Sequence, residues 1–185
     1  MEPGLRIHLV ETSSRANGPG LRAVVWVQGC SLGCPGCFNP ETHPAAGGIW
    51  IPVGQLVDEI ICIPGIEGIS VSGGEPFQQA SALAAFLRSI KEKSQLSVLV
   101  FSGFTWDEIA RIPRSGEILA NIDILLAGRY QAENRLARGL LGSSNKEIYF
   151  LNPKYSAADL EAIPDAEILI KPDGTLISTG INPLG

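Results

Sequence analysis

In the stretch Gln28-Gly29-Cys30-Ser31-Leu32-Gly33-Cys34-Pro35-Gly36-Cys37-Phe38-Asn39, three cysteines are separated by three and then two residues. Thiolates are soft ligands, and three of them this close together indicate a metal centre. A four-iron, four-sulfur cluster takes one protein thiolate per iron, so three cysteines would leave one iron free to bind another molecule. Glycine and proline between the cysteines allow the tight turns that bring all three sulfurs to one core. The stretch therefore predicts the metal ligands Cys30, Cys34 and Cys37.

Two other uses of these thiols fit the spacing less well. A structural zinc site would need Cys62 as a fourth ligand, but zinc motifs usually come as two separated cysteine pairs. A disulfide framework is disfavoured because three sulfurs within eight residues cannot all pair. Cys62 itself lies beside the apolar face of a predicted helix, so we expect it to be a small buried hydrophobic residue.

Composition indicates one globular domain. Of the 185 residues, 45% are hydrophobic and 18% are charged, which suffices for a core. The net charge of -5, without a run of Lys or Arg, argues against nucleic acid as a partner. No apolar run is long enough to span a bilayer, and no basic segment followed by an apolar run opens the chain. We therefore expect a cytoplasmic protein with no membrane partner, in a compartment that keeps thiols reduced.

Hydrophobic patterns predict the fold class α/β. Short apolar runs rich in β-branched residues are typical of buried strands, and segments with helical spacing separate them. The strands are predicted near 23–28, 68–72, 96–101, 122–127 and 147–151, with an edge strand at 5–11, and the helices near 53–62, 79–93 and 105–112. Right-handed crossovers between such units give a curved, mostly parallel sheet. Because the units are too few to close eight strands, we expect a partial, open (β/α) barrel.

The last part of the chain reads as an addition to this core. A short helix is followed by an apolar run at 167–171, and Pro172-Asp173-Gly174 predicts a hairpin turn into a second strand. We expect a core at 1–151 and a C-terminal helix and β-hairpin extension at 152–185 that packs on it. The extension either covers a sheet edge, the simpler interpretation, or binds another protein.

The spacing Cys30-x3-Cys34-x2-Cys37 resembles the cluster motif of the radical S-adenosylmethionine (SAM) enzymes. Further along, Ser72-Gly73-Gly74-Glu75-Pro76 resembles the methionine-binding segment of that superfamily. The resemblance implies the radical SAM fold, a [4Fe-4S] cluster, and SAM that chelates the open iron through its amino and carboxylate groups. One electron from the reduced cluster then cleaves SAM to a 5′-deoxyadenosyl radical. The SAM contacts it implies are Gly36, Phe38, Ser72, Gly73, Gly74, Glu75 and Ser102.

Three of these contacts have a simple physical reason. Glycine lets a backbone approach a bound ligand closely, and the carboxylate of Glu75 can pair with an ammonium group. Gly73 and Gly74 with Glu75 would therefore receive the amino end of SAM. No side-chain acid or base is required for the cleavage, so we expect no catalytic residue beyond the cofactor.

Other segments resemble a narrower group, the activases of glycyl radical enzymes. Residues 17–22, Asn-Gly-Pro-Gly-Leu-Arg, resemble their Asn/Asp-Gly-Pro-Gly-x-Arg segment. Residues 142–145, Gly-Ser-Ser-Asn, and the aromatic Phe38 after the third cysteine resemble the activating enzymes of anaerobic ribonucleoside-triphosphate reductase. Ala127 departs from that pattern, which has an aspartate there. In related activases an acidic residue near this point helps to hold a cation beside SAM, so the alanine puts that site in question.

The resemblance implies an enzyme that abstracts a hydrogen atom from a protein, first of all from a glycine of an anaerobic ribonucleotide reductase, with a flavodoxin- or ferredoxin-type reductant. Ala127 and the C-terminal extension keep a second hypothesis open: a maturase of a ribosomally made peptide, working with a small companion protein. A third hypothesis is a non-catalytic electron-transfer or zinc-binding module. A ferredoxin-like carrier should use four cysteines, and the Gly73-Gly74-Glu75 segment would then have no role.

Overall fold

The fold is built around one seven-stranded sheet, seen in a computed structural model that describes residues 2–181. Its strands are β1 Gly4–Ser14, β2 Arg22–Val27, β3 Ile49–Pro52, β4 Gly68–Gly73, β5 Ser97–Phe101, β6 Ile124–Ala127 and β9 Glu147–Phe150. They follow the order β3-β1-β2-β4-β5-β6-β9. The four central strands β2, β4, β5 and β6 are parallel, whereas β1, β3 and β9 run antiparallel to their neighbours.

Helices cover one face of this sheet and form the main core with it. They are α1 Val53–Ile61, α2 Ala80–Lys93, α3 Trp106–Ala110 and α4 Ser115–Leu119. Val25 and Val71 of the sheet pack in one cluster with Leu56 and Phe86 of the helices. On the opposite face, Leu99 lies in a second cluster with apolar residues from the C-terminal part of the chain. The central strands are therefore buried on both sides, as their continuous apolar runs predicted.

Two small hairpins and a short helix complete the described part of the chain. They are β7 Arg135–Arg138 with β8 Leu141–Ser143, α5 Ala158–Glu161, and β10 Ala166–Ile170 with β11 Leu176–Gly180. The C-terminal hairpin pairs only with itself and so does not extend an edge of the large sheet. It is joined to the loop after β1, where Asn17 Nδ2 donates to Thr179 Oγ1 at 2.7 Å.

The predicted hairpin is therefore present and contacts the loop after β1 through this bond, whereas the packing of the whole extension at 152–185 on the core stays a prediction. The division of the chain at 151 stays a prediction, and residues 182–185 of the predicted extension lie outside the described residues.

Two predictions about the sheet need correction. The segment predicted as an edge strand, β1, lies inside the sheet, because β3, which was not predicted, pairs with its outer side. The strand near 147–151 exists as β9, but it runs antiparallel to β6, since a hairpin and not a crossover helix connects them. The α4 helix and the β7–β8 hairpin were not predicted.

The α/β class is confirmed, but the barrel type is not. The sheet stays open within residues 2–181, with β3 and β9 as its two edges, and no closed barrel forms. Cys62 was predicted to be buried and is exposed, because it follows the last turn of α1 and lies outside that helix's apolar face. Over the same residues, no helix has the length and apolar character needed to cross a membrane.

Arg22 ties the amino ends of the central strands together. Its side chain is fully buried at the start of β2. The guanidinium donates to the hydroxyls of Ser70 and Ser97 at 2.9 and 3.0 Å, and to the carbonyl of Ile69 at 2.6 Å. A second bond to Ser97, at its carbonyl, is 3.0 Å long. These bonds satisfy a charge that would otherwise be costly to bury.

We predict that Arg22→Met lowers the free energy of unfolding by about 3 kcal/mol, because buried hydroxyls and carbonyls lose their donor. Chemical denaturation followed by circular dichroism measures the change. Arg88→Met is the matched control, since Arg88 is half exposed and its ion pairs lie at the surface; its loss should stay under about 1 kcal/mol. Equal losses in the two variants would contradict this role of Arg22.

Candidate functional site

The loop that carries the three cysteines, residues 28–39, begins where β2 ends. The turn after β4 holds this cysteine loop in place. Gly74 N donates to Val27 O at 2.8 Å, and Glu75 N donates to Gly29 O at 2.9 Å. The two segments singled out from the sequence are therefore neighbours, joined by main-chain hydrogen bonds. They lie at the carboxyl ends of adjacent parallel strands, where open α/β sheets bind ligands.

The two glycines of the turn allow this contact. A Cβ atom on Gly73 would lie 2.6 Å from the carbonyl oxygen of Val27, and a Cβ atom on Gly74 would collide with the carbonyl of Gly29. Gly73 also has a φ of +96°, a conformation that other residues adopt rarely. The sequence analysis explains these glycines by close approach of the backbone to a ligand. The structure shows that they also permit close approach of the turn to the cysteine loop.

The turn and the cysteine loop enclose a cavity of about 120 Å³, which we call the cysteine cavity. Nine of the ten predicted site residues line it: Cys30, Cys34, Cys37, Phe38, Ser72, Gly73, Gly74, Glu75 and Ser102. Gly36 is not among the lining residues; it turns the chain with a φ of +69°. A second cavity of about 210 Å³ shares Phe38 and Ser72 with the first, so the two lie side by side.

The three thiols surround the cavity as free, partly buried groups. Burial raises the pKa of the Cys30 and Cys37 thiols above the ordinary value. Within residues 2–181, no three His, Cys, Asp or Glu side chains converge in the way that a single metal ion would need. Separate thiols around a common space fit a multi-iron core, in which each thiolate binds a different iron. Cys62 does not line this space, which removes the zinc alternative that needed it.

Glu75 joins the ends of β4 and β5. Its buried carboxylate accepts hydrogen bonds from Phe77 N at 3.0 Å, Ser102 Oγ at 2.9 Å and Gly103 N at 2.6 Å. Desolvation raises the pKa of this carboxyl group, and the three hydrogen bonds oppose the rise. Glu75 therefore positions the two strand ends. Contacts of Glu75 and Ser102 with SAM stay predictions.

The profile of the 4Fe-4S single cluster domain matches residues 16–149. The chain belongs to this family. The match includes the three cysteines, the Gly73-Gly74-Glu75 turn and strands β2 to β6, and it supports an iron–sulfur cluster in this member of the family.

The chain is also similar to pyruvate formate-lyase-activating enzymes. The enzyme from Clostridium pasteurianum is 32% identical over 126 residues, which cover 65% of this chain and 50% of the relative. The pyruvate formate-lyase 1-activating enzyme of Escherichia coli K12 is 29% identical over 147 residues, 76% of this chain and 58% of the relative. The chain thus spans about half the length of these curated relatives. The resemblance to the activase group is confirmed.

Two residues of this 4Fe-4S single cluster domain were not predicted to take part in the site. Lys146 and His43 both line the cysteine cavity. Lys146 Nζ donates to Gly128 O at 2.6 Å and to Ser102 O at 3.4 Å. Desolvation lowers the pKa of this lysine, while Glu75 and the nearby thiols counteract that effect. Its position directly after the Gly-Ser-Ser-Asn segment was the only feature of the sequence that could have indicated a role for Lys146.

Ala127 is buried at the end of β6, as its place in a central strand requires. Its partner across the sheet is Glu147, whose carboxylate accepts a hydrogen bond from the Tyr149 hydroxyl. The next residue, Gly128, accepts the Lys146 bond, so a fixed ammonium group lies beside this position. Loss of a cation site at Ala127 stays a prediction.

We predict that Gly74→Ala separates the turn from the cysteine loop, because the added methyl group has no room beside the Gly29 carbonyl. Iron content after anaerobic reconstitution should fall, and the free energy of unfolding should drop by about 1–3 kcal/mol. Gly116→Ala is the matched control. Gly116 lies in α4, where an added Cβ atom would have open space around it, so this variant should load iron normally. Normal loading of Gly74→Ala would show that the contact is not needed.

Proposed function

We propose that this protein is a radical SAM enzyme that abstracts a hydrogen atom from a protein substrate, a glycine of an anaerobic ribonucleotide reductase. The observation that carries the proposal is that three free thiols and the Gly73-Gly74-Glu75 turn face one cavity at the carboxyl ends of adjacent strands. The similarity to activating enzymes supports the reaction class. The segments that resemble reductase activases support the choice of substrate.

The residues that line the cavity would hold both cofactors. Cys30, Cys34 and Cys37 would bind three irons of a [4Fe-4S] cluster, and the main chain of Gly73 and Gly74 would border SAM at the fourth. With one electron from a flavodoxin- or ferredoxin-type protein, the loaded centre would break the bond between sulfur and C5′ of SAM, leave methionine, and supply a 5′-deoxyadenosyl radical. That radical would take a hydrogen atom from the glycine α-carbon and so become 5′-deoxyadenosine.

The protein supplies binding and orientation to this reaction. Phe38 and Tyr130 contact each other with ring centroids 4.7 Å apart and ring planes tilted by 57°, and they form an apolar wall of the cavity. Such a wall limits the water that could quench a radical. We further propose that the protein works in the cytoplasm, where its free thiols remain reduced.

The first test is cluster loading and SAM cleavage in the full-length chain. After anaerobic reconstitution, incubation with SAM and dithionite should yield 5′-deoxyadenosine and methionine. Cys34→Ser should lose iron and both products, because one iron loses its protein ligand. Cys62→Ser is the matched control and should behave as the wild type, since that thiol is exposed and lies outside the cavity. Absence of 5′-deoxyadenosine from a loaded wild-type protein would remove the proposal.

Lys146 gives the proposal a sharper form, because it is a cation without a carboxylate partner in the described part of the chain. Two of its hydrogen bonds go to neutral carbonyls, and it faces the space where SAM would lie. We propose that its ammonium group binds the carboxylate of SAM. Hydrogen bonds between two charged groups are about twice as strong as neutral ones.

We predict that Lys146→Met weakens SAM binding to the loaded protein by about tenfold or more, since a charged hydrogen bond is worth about 1.5–3 kcal/mol. Decarboxylated SAM should bind to Lys146→Met and to the wild type with the same affinity, because that analogue lacks the group that Lys146 would contact. Anaerobic calorimetric titration gives both affinities. Lys93→Met serves as the control, as Lys93 is exposed and pairs with Asp58 at 2.9 Å. Equal weakening for SAM and its analogue would contradict the contact.

The substrate is tested separately from the chemistry. The activated protein is incubated with an anaerobic ribonucleotide reductase and, in parallel, with a pyruvate formate-lyase, and each mixture is examined for a glycyl radical by electron paramagnetic resonance. A radical in the reductase supports the proposed substrate. A radical only in the lyase, or in neither, shows that the substrate was chosen wrongly even though SAM is cleaved.

A second candidate is a maturase that modifies a ribosomally made peptide with the help of a small companion protein. It is favoured by the C-terminal hairpin, which lies beyond the matched family region and lines the second cavity through Ile177, Ser178 and Thr179. A mass change in a precursor peptide, with no radical in either enzyme, would select this candidate.

A further inference from the structure

The first residues of the cysteine loop are bonded to the segment that follows the loop. Gly29 N donates to Thr42 O at 2.7 Å, and Cys30 N donates to His43 O at 3.1 Å. The chain reverses its direction for these two bonds through a short 3-10 turn at Pro40–Thr42. The main chain of Cys30 is therefore tied to a segment that lies beyond the third cysteine.

The side chain of Gln28 holds this closure together. It is buried, with 3% of its surface exposed. Its Nε2 atom donates to two main-chain carbonyls of the segment after the loop, Glu41 O at 3.1 Å and Pro44 O at 2.8 Å. Its Oε1 atom lies 3.0 Å from Nδ1 of His8 on β1. Because the amide nitrogen already has two acceptors, the oxygen faces the histidine, and Nδ1 is the donor of that bond. Gln28 thus joins β1 to both ends of the cysteine loop.

A second glutamine bonds to the residue after the first cysteine. Gln78 lies in the 3-10 turn Pro76–Gln79 that follows β4. Its Oε1 atom accepts a hydrogen bond from Ser31 N at 3.1 Å, and its Nε2 atom donates to Ser31 Oγ at 2.6 Å. Two bonds between one amide group and one residue fix the orientation of that residue as well as its position. Gln78 and Ser31 are both exposed, so these bonds restrain the loop from outside the core.

We propose that Gln28 and Gln78 are positioning residues, which hold the cysteine loop in its cluster-binding shape before any iron is bound. Neither side chain lines the cysteine cavity, so each acts on the thiols through the loop. A free loop would lose conformational entropy at the moment of cluster binding, and that loss would weaken the binding. Hydrogen bonds that already exist in the metal-free protein remove this cost. The inference rests on the proposed function for the cluster at the three cysteines, but not for the cleavage of SAM.

The first test uses the metal-free protein and hydrogen exchange measured by nuclear magnetic resonance. In the wild type the amides of Gly29, Cys30 and Ser31 should exchange slowly, since all three donate hydrogen bonds. Gln78→Ala should make exchange at Ser31 about fivefold faster or more, the equivalent of one net hydrogen bond. Gln28→Met, which has nearly the same volume, should have the same effect at Gly29 and Cys30.

The amide of Val71, inside the central strand β4, separates this role from a general loss of stability. Its exchange should change less than that of the loop amides in both variants. Equal acceleration at Val71 and in the cysteine loop would show that the glutamines only stabilise the fold, and would overturn the inference.

The second test measures how firmly the cluster is held after anaerobic reconstitution. Gln78→Ala and Gln28→Met should lose iron to an excess of chelator about fivefold faster than the wild type or more. Ser31→Ala combined with Gln78→Ala should lose iron no faster than Gln78→Ala alone, because the two residues act through the same bonds. Gln55→Met is the matched control and should keep its iron as the wild type does. Gln55 is exposed in α1, where it donates to Glu59 at 2.9 Å.

Three other results would overturn the inference. The loop amides could exchange freely in the metal-free wild type, which would mean that the loop is not ordered beforehand. Both glutamine variants could keep the wild-type rate of iron loss, or the effects of Ser31→Ala and Gln78→Ala could add. If Gln28→Met does not fold, Gln28→Glu replaces it, because the carboxylate keeps the acceptor for His8 and lacks both donors. A wild-type protein that loads no iron would refute the proposed function, while exchange in the metal-free protein would still decide whether the loop is ordered.

Discussion

The site depends on how closely the Gly73-Gly74 turn approaches the first residues of the cysteine loop. Two main-chain hydrogen bonds form there, and a side chain at Gly74 would collide with the Gly29 carbonyl, which accepts one of them. The contact joins the carboxyl ends of β2 and β4, so a flexible cysteine-containing loop becomes part of the rigid sheet. Sites built on rigid elements hold their ligands more accurately than sites on free loops, which is what three thiolates around one core require.

The next two strands add the charged groups of the site. Glu75 reaches from β4 to the end of β5, where neutral donors satisfy its carboxylate. Lys146 bonds to carbonyls that follow β5 and β6 and has no carboxylate partner within residues 2–181. Hydrogen bonds inside the protein thus satisfy the Glu75 carboxylate, whereas Lys146 forms no salt bridge within residues 2–181. This difference supports our proposal that Lys146 binds the carboxylate of SAM.

The family match ends at residue 149, before the C-terminal helix and hairpin. That hairpin does not pair with the large sheet, yet β11 lines the cavity beside the cysteine cavity. Residues of the matched region, among them Phe38 and Ser72, line both cavities, whereas β11 of the C-terminal hairpin adds to the wall of the second. Side-chain hydrogen bonds connect this hairpin to β1 and the loop after it, among them the one from Ser14 Oγ to Glu167 at 2.9 Å.

Local sequence determined much of this protein. The cysteine spacing, the glycines of the turn and the apolar runs of the central strands depend on near neighbours and on burial, so the parallel part of the sheet and nine residues of the cavity could be predicted. The direction of β9 could not be predicted, because it depends on whether a helix or a hairpin precedes it. That direction places Lys146 beside the carboxyl end of β6. A parallel β9 would have placed Lys146 near the amino end of β6. The hydrogen bonds of the Gln28 and Gln78 side chains and the exposure of Cys62 were likewise decided only by the tertiary structure, since each depends on what lies around the side chain and not on its neighbours in sequence.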